Sequence, residues 1–127
     1  MSKPHYDDYL LEENQRATSD NIALFEAALK GDFEQVKELL ENGAKPNFFF
    51  RPEDQKNALH VSSEKGFDDI VEVLIQHGAA VNSKASTDQT TSLILASQNG
   101  HVKVVQILLS HGAHVDAGIF TLSVFHN

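Results

Sequence analysis

The chain has 127 residues, 41% of them apolar and 22% charged, with no cysteine and a formal net charge of −8. That length supports one hydrophobic core and no second, and the composition is ordinary for a globular protein rather than a disordered one. The charge argues against nucleic acid and anionic membrane as partners, since both need basic patches, and the missing cysteine removes disulfides, thiolate metal sites and cysteine nucleophiles. The start, Met1-Ser2-Lys3-Pro4-His5-Tyr6-Asp7-Asp8, lacks the apolar region of a secretory signal. No apolar stretch approaches the roughly 20 residues of a membrane span, so a soluble protein of the cytoplasm, with the nucleus also open to it, is expected.

In chain order, residues 1–20 form an N-terminal tail or partial cap. Asp8-Tyr9-Leu10-Leu11-Glu12-Glu13 reads as a solvated segment or as a helical turn packed on the first repeat unit. Ser19 or Asp20 is an expected N-cap for a helix starting near Asn21. From there six glycines follow one pattern. Gly31, Gly66 and Gly100 each stand 12 residues before a Gly-Ala pair, at Gly43-Ala44, Gly78-Ala79 and Gly112-Ala113, and equivalent glycines are 35 and then 34 residues apart. Between them Val36/Leu39/Leu40, Val71/Leu74/Ile75 and Val105/Leu108/Leu109 lie at i, i+3, i+4, the apolar stripe of a helix. The second glycine of each unit follows the last apolar turn, where a left-handed residue ends a helix at little cost. A shorter helix precedes each first glycine and carries paired small residues, Ala27-Ala28, Ser62-Ser63 and Ala96-Ser97, that let neighbouring helices approach closely. Such helix-turn-helix units cannot bury their own apolar faces and must stack.

The second unit, Asn57-Ala58-Leu59-His60-Val61-Ser62-Ser63-Glu64-Lys65-Gly66-Phe67, closes with Gly78-Ala79-Ala80-Val81-Asn82. The third, Thr91-Ser92-Leu93-Ile94-Leu95-Ala96-Ser97-Gln98-Asn99-Gly100-His101, closes with Gly112-Ala113-His114-Val115-Asp116, and the first runs from Ile22 to Asp32 and closes with Gly43-Ala44-Lys45-Pro46-Asn47. These residues resemble the ankyrin repeat, with its Thr-Pro-Leu-His-x-Ala-Ala-x-x-Gly-His opening and Leu-Leu-x-x-Gly-Ala-x-Val-Asn close. The resemblance implies an all-α fold, an ankyrin-repeat solenoid of stacked helix-turn-helix units joined by hairpin-like loops. Three repeats would cover residues 21–117, at about 21–55, 56–89 and 90–117.

The departures from the family pattern carry expectations of their own. Thr-Pro is missing throughout, though Asn57 and Thr91 can cap. Only His60 keeps the histidine of Thr-Pro-Leu-His. The connections are longer than the family period requires and lack its Asp-Gly turn, so irregular hairpin tips are expected. Polar Gln35 and Glu38 stand where later units have Ile70/Val104 and Val73/Ile107, as suits an end unit. Residues 118–127 are an apolar C-terminal tail, and Val104, Ile107 and Leu108 are expected to lack a following unit to cover them. Either Ile119, Phe120, Leu122 and Phe125 fold back as a cap, or the array is a truncated form of a longer one.

The search for catalytic and metal chemistry returns nothing specific. The seven histidines invite a metal reading, with His111 and His114 the sharpest pair, but the two straddle Gly112 and share no helix face. His77 and His111 suit the negative ends of helix dipoles instead. No nucleophile elbow, P-loop or dinucleotide-binding glycine motif occurs, and Asp7-Asp8 and Asp68-Asp69 read as surface charge near helix starts. A protein that is not an enzyme, with no cofactor and no metal, is the expectation.

In the resembled fold, partners dock on a concave face lined by hairpin tips and the exposed sides of the first helices. Position by position this implies Leu29, Lys30, Glu64, Lys65, Gln98 and Asn99 from the helices. From the connections it implies Glu53, Gln55, Lys56, Asp88, Gln89 and Thr90. Phe48-Phe49-Phe50-Arg51 adds three consecutive phenylalanines that a loop cannot all bury, beside an arginine, the usual composition of a binding hot spot. The expected function is a monomeric, non-catalytic adaptor or scaffold for another protein. A regulatory or substrate-recognition subunit of an enzyme assembly, such as a ubiquitin ligase, and a truncated isoform without an independent role are the alternatives.

Overall fold

The structure is a computed structural model that describes residues 19–49, 53–85 and 89–115. Among them are six helices in three pairs: α1 (residues 19–30) with α2 (Phe33–Glu41), α3 (Ala58–Lys65) with α4 (Asp68–Gln76), and α5 (Ser92–Gln98) with α6 (Val102–Ser110). Helix α3 packs on α5, and α2, α4 and α6 stack in sequence, so each pair covers the apolar face of its neighbour. This is the all-α ankyrin solenoid that the resemblance implies. Ser19 and Asp20 already lie inside α1, so neither caps it.

The core runs unbroken through the stack, from Leu24, Phe25 and Val36 through Leu59, Ile70 and Leu74 to Leu93, Val104 and Leu108. Val104 and Leu108 are therefore not the uncovered face expected of them. The register of α6 turns them inward onto α4 and α5, and Ile107 packs on the same core. In the first unit, the matching Gln35 and Glu38 are exposed.

Local chemistry starts and stops these helices where the sequence marks it. The Asp32 carboxylate accepts from Gln35 N–H, Asn57 from His60 N–H and Thr91 Oγ1 from Ile94 N–H. Gly43, Gly78 and Gly112 hold φ of +96°, +94° and +90°, the left-handed residue after the second helix of each pair, although in the first pair it is α1, over residues 19–30, that is the longer helix rather than the expected shorter one. Asparagine side chains then tie the closing loops together. Asn47 Oδ1 accepts from Ala80 N–H at 2.7 Å while its amide donates to Gly78 O at 3.2 Å. One unit on, Asn82 repeats this with His114 N–H at 2.8 Å and Gly112 O at 3.0 Å.

The connections differ from tight ankyrin turns in one specific way. Gln55 and Gln89, 34 residues apart, sit in the left-handed region at φ of +54° and +63°. A side chain there costs about 1–2 kcal/mol that glycine would avoid. Gln89→Gly, and separately Gln55→Gly, is expected to raise stability by about 0.5–1 kcal/mol in urea unfolding, the strain relieved exceeding the entropy added to the unfolded chain.

The small-residue pairs carry a second, correctable cost. Ser62 Oγ donates to Ala58 O at 2.8 Å, but the hydroxyls of Ser63 and Ser97 are buried with no partner among the described residues. Ser63→Ala and Ser97→Ala are each expected to stabilise by about 1 kcal/mol, because a buried hydroxyl without a hydrogen bond forfeits its hydration. Unfolding midpoints of the two variants check this.

Candidate interaction surface

The surface expected to meet a partner is built from the C-terminal ends of α1, α3 and α5 and from the connections between pairs. Lys30 and Lys65 are exposed one unit apart at the ends of α1 and α3, and Gln98, the counterpart of Glu64, is exposed at the end of α5. Leu29 is half-buried and packs against the core. Asn99 is exposed, yet its amide turns back to donate to Leu95 O at 2.7 Å.

In the first connection Glu53 and Gln55 are exposed. The Asp54 carboxylate accepts from Lys56 N–H at 3.1 Å, which curls the chain into the start of α3. Lys56 Nζ then reaches Glu64 at 3.1 Å, joining two residues that the sequence placed on separate elements. In the next unit the same two positions hold Thr90 and Gln98, so only the earlier unit carries this ion pair across the rim. Phe48 is half-buried and Phe49 is 49% exposed. Phe50, Arg51 and Asp88 lie outside the described residues, as do the tails 1–18 and 116–127.

The second connection closes as a hairpin. Ala85 and Thr90 exchange both backbone hydrogen bonds, at 2.7 Å and 3.1 Å, and Gln89 beside Thr90 is exposed. Its base is tied to α3: His60 Nδ1 accepts from Asn57 N–H at 3.0 Å, His60 Nε2 donates to Ser83 O at 3.0 Å, and the Asn57 amide donates to Ser83 Oγ at 3.2 Å. These partners settle the imidazole as neutral, with its proton on Nε2. Burial holds the His60 pKa below the ordinary value of 6.5, with Lys56 adding to the lowering, while the Ser83 carbonyl, Asp54 and Glu64 oppose it.

Two features were not foreseen from the sequence. One is a shallow groove lined by Lys45, Pro46, Asn47, Phe48, His77 and Gly78, where one closing loop meets the next. The near-identical Gly-Ala closings were its signal, because stacked copies of a loop must leave a furrow between them. The other is the exposure of Val102, at the start of α6, and of Val115. Among the described residues no three His, Asp or Glu side chains come together as metal ligands, and no helix is long and apolar enough to cross a membrane.

Comparison with known proteins agrees with this architecture. The family of ankyrin repeats, in three copies, matches residues 24–118. Serine/threonine-protein kinase 12 of Arabidopsis thaliana is 32% identical over 80 residues, which are 63% of this chain and 17% of the kinase. Dynein axonemal heavy chain 12 of Bos taurus is 35% identical over 80 residues, again 63% of this chain and 18% of that protein. The aligned stretch thus spans under a fifth of either relative. Ankyrin repeats are generally protein–protein interaction modules. With three stacked helix pairs, the glycine and asparagine framework between them and a match over most of its length, the chain belongs to the ankyrin-repeat family.

Proposed function

We propose that this chain is a non-catalytic adaptor or scaffold of the cytoplasm or nucleus that, as a monomer, binds another protein through its concave face and hairpin tips. The observation that carries the reading is Phe49, a large aromatic left 49% exposed beside half-buried Phe48. An exposed aromatic presents a large apolar area with little side-chain entropy to lose, as binding anchors do. Exposed Lys30, Lys65, Gln98 and Gln89 add polar groups to the expected surface. One relative is a kinase and the other a dynein heavy chain, and a stretch common to both fits a binding segment better than a shared reaction.

The test compares the wild-type chain with Phe49→Ser, both shown folded by circular dichroism, in capture from lysate followed by titration of the captured protein. Phe49→Ser is expected to weaken that binding by about thirtyfold, and Lys65→Ala by far less. Equal binding by the Phe49 variant removes the hairpin from the site. Absence of any saturable protein partner for the folded wild type removes the adaptor reading itself.

A further inference from the structure

The chain contains Asn-Gly twice, at Asn42-Gly43 after α2 and at Asn99-Gly100 after α5. The two steps share one backbone geometry. Asn42 is the C-cap at φ −90°, ψ 7°, and Asn99 is the C-cap at φ −99°, ψ 5°. Gly43 N–H donates to Leu40 O at 3.1 Å, and Gly100 N–H to Ser97 O at 3.2 Å. Both glycines are exposed, with φ of +96° and +72°, and neither has a heavy atom within 4 Å of the place a Cβ would occupy. The turns close alike, by Ala44 N–H to Leu39 O at 3.0 Å and His101 N–H to Ala96 O at 2.9 Å.

The side chains and surroundings differ. The Asn99 amide is held on Leu95 O at 2.7 Å, whereas the Asn42 carboxamide is exposed and has no hydrogen-bond partner among the described residues. Asn99-Gly100 is also the tight link between α5 and α6. It leads straight into His101, whose ring is anchored on Glu64 O of the preceding unit at 2.9 Å. Opening that turn would loosen a packed helix pair and a contact between units. Asn42-Gly43 leads instead into the connection after the first unit, tied by Lys45 N–H to Asn21 Oδ1 at 2.7 Å, and its own contact with the next unit comes only four residues past Gly43, at Asn47.

We propose that Asn42 is a site of spontaneous deamidation and that the fold protects Asn99 from the same reaction. This inference is independent of the binding reading. When the last turn of α2 opens, the Gly43 backbone nitrogen gives its proton to hydroxide and attacks Asn42 Cγ. The new C–N bond closes a cyclic imide, the bond from Cγ to the side-chain nitrogen breaks, and that nitrogen leaves as ammonia with a proton from water. Water then opens the ring, at Cγ to leave aspartate or at the main-chain carbonyl to leave isoaspartate. No oxidant or reductant takes part. Either product adds a negative charge at the C-terminal end of α2, where the helix dipole is already negative and Glu38 and Glu41 stand nearby. That helix supplies Val36, Leu39 and Leu40 to the core, so the modification weakens the first unit's hold on the stack.

The experiment incubates the full chain in mildly alkaline buffer, folded and in urea, and follows both steps by peptide mapping with fragmentation that separates aspartate from isoaspartate. In urea the two steps are expected to convert at similar rates. In the folded chain Asn42 should convert at least about fivefold faster than Asn99, the factor that one modest added constraint produces. Asn42→Gln should abolish most of the acidic species seen by charge-resolving chromatography. Equal folded rates at the two sites, an Asn42 that converts in urea but stays intact when folded, or undiminished acidic species in Asn42→Gln would each overturn the assignment.

Discussion

Gly66→Ala is expected to destabilise the chain by about 3 kcal/mol or more, read as a fall in the urea midpoint at unchanged slope. Two costs add there. Gly66 holds φ of +82°, where an alanine is strained by about 1–2 kcal/mol. The added Cβ would also lie 2.5 Å from Nδ1 and 2.7 Å from Cε1 of His101. That ring cannot swing aside freely, because its Nε2 is hydrogen-bonded to Glu64 O at 2.9 Å across the junction of the second and third units. Making room breaks this bond and leaves a carbonyl unpaired. Gly78→Ala isolates the first cost: φ is +94°, but nothing lies within 4 Å of the added methyl, so a loss of about 1 kcal/mol is expected. Equal losses in the two variants would show that the His101 contact does not resist displacement. The first junction repeats the device with another ring, as a Cβ on Gly31 would meet Phe67 Cζ at 2.9 Å.

His60→Ala is expected to cost about 3–4 kcal/mol, the other large effect in this chain. The substitution empties a fully buried site and strands Asn57 N–H and Ser83 O, so the start of α3 and the base of the second hairpin lose their shared anchor. Ile94 occupies the matching place in the third unit, where Thr91 caps the helix without help from that side chain. The corresponding Ile94→Ala should therefore cost less.

The same burial makes stability depend on pH. The His60 pKa is depressed on folding, chiefly by desolvation, so below about pH 6.5 the unfolded chain takes up a proton that folded His60 resists. Stability from this group is fully present above that pH. It declines as pH falls from about 6.5 toward the folded pKa, by at most about 1.4 kcal/mol per pH unit, and then levels. Urea midpoints between pH 7.5 and 5, compared for wild type and His60→Leu, isolate this slope. An unchanged slope in the variant would show that His60 is not its source.

The periodicity of glycine and apolar residues alone determined the repeat, the helix pairs, their left-handed stops and most of the core. Those features depend on contacts within about four residues or on the identity of stacked units, and both are written in spacing. Caps at Asn57 and Thr91 were legible for the same reason. The outward helix-end positions Lys30, Lys65 and Gln98 followed from register as well. Only the tertiary structure decided how side chains are used between units. Packing turned Val104 and Leu108 inward, drew Leu29 against the core and paired Lys56 with Glu64. It also set the His101 ring over Gly66 and made His60 the anchor of a hairpin 23 residues away. The division has one physical cause. A repeat pattern specifies each unit's own backbone hydrogen bonds and apolar stripe, whereas contacts between units depend on which atoms the stacking brings within a few ångströms.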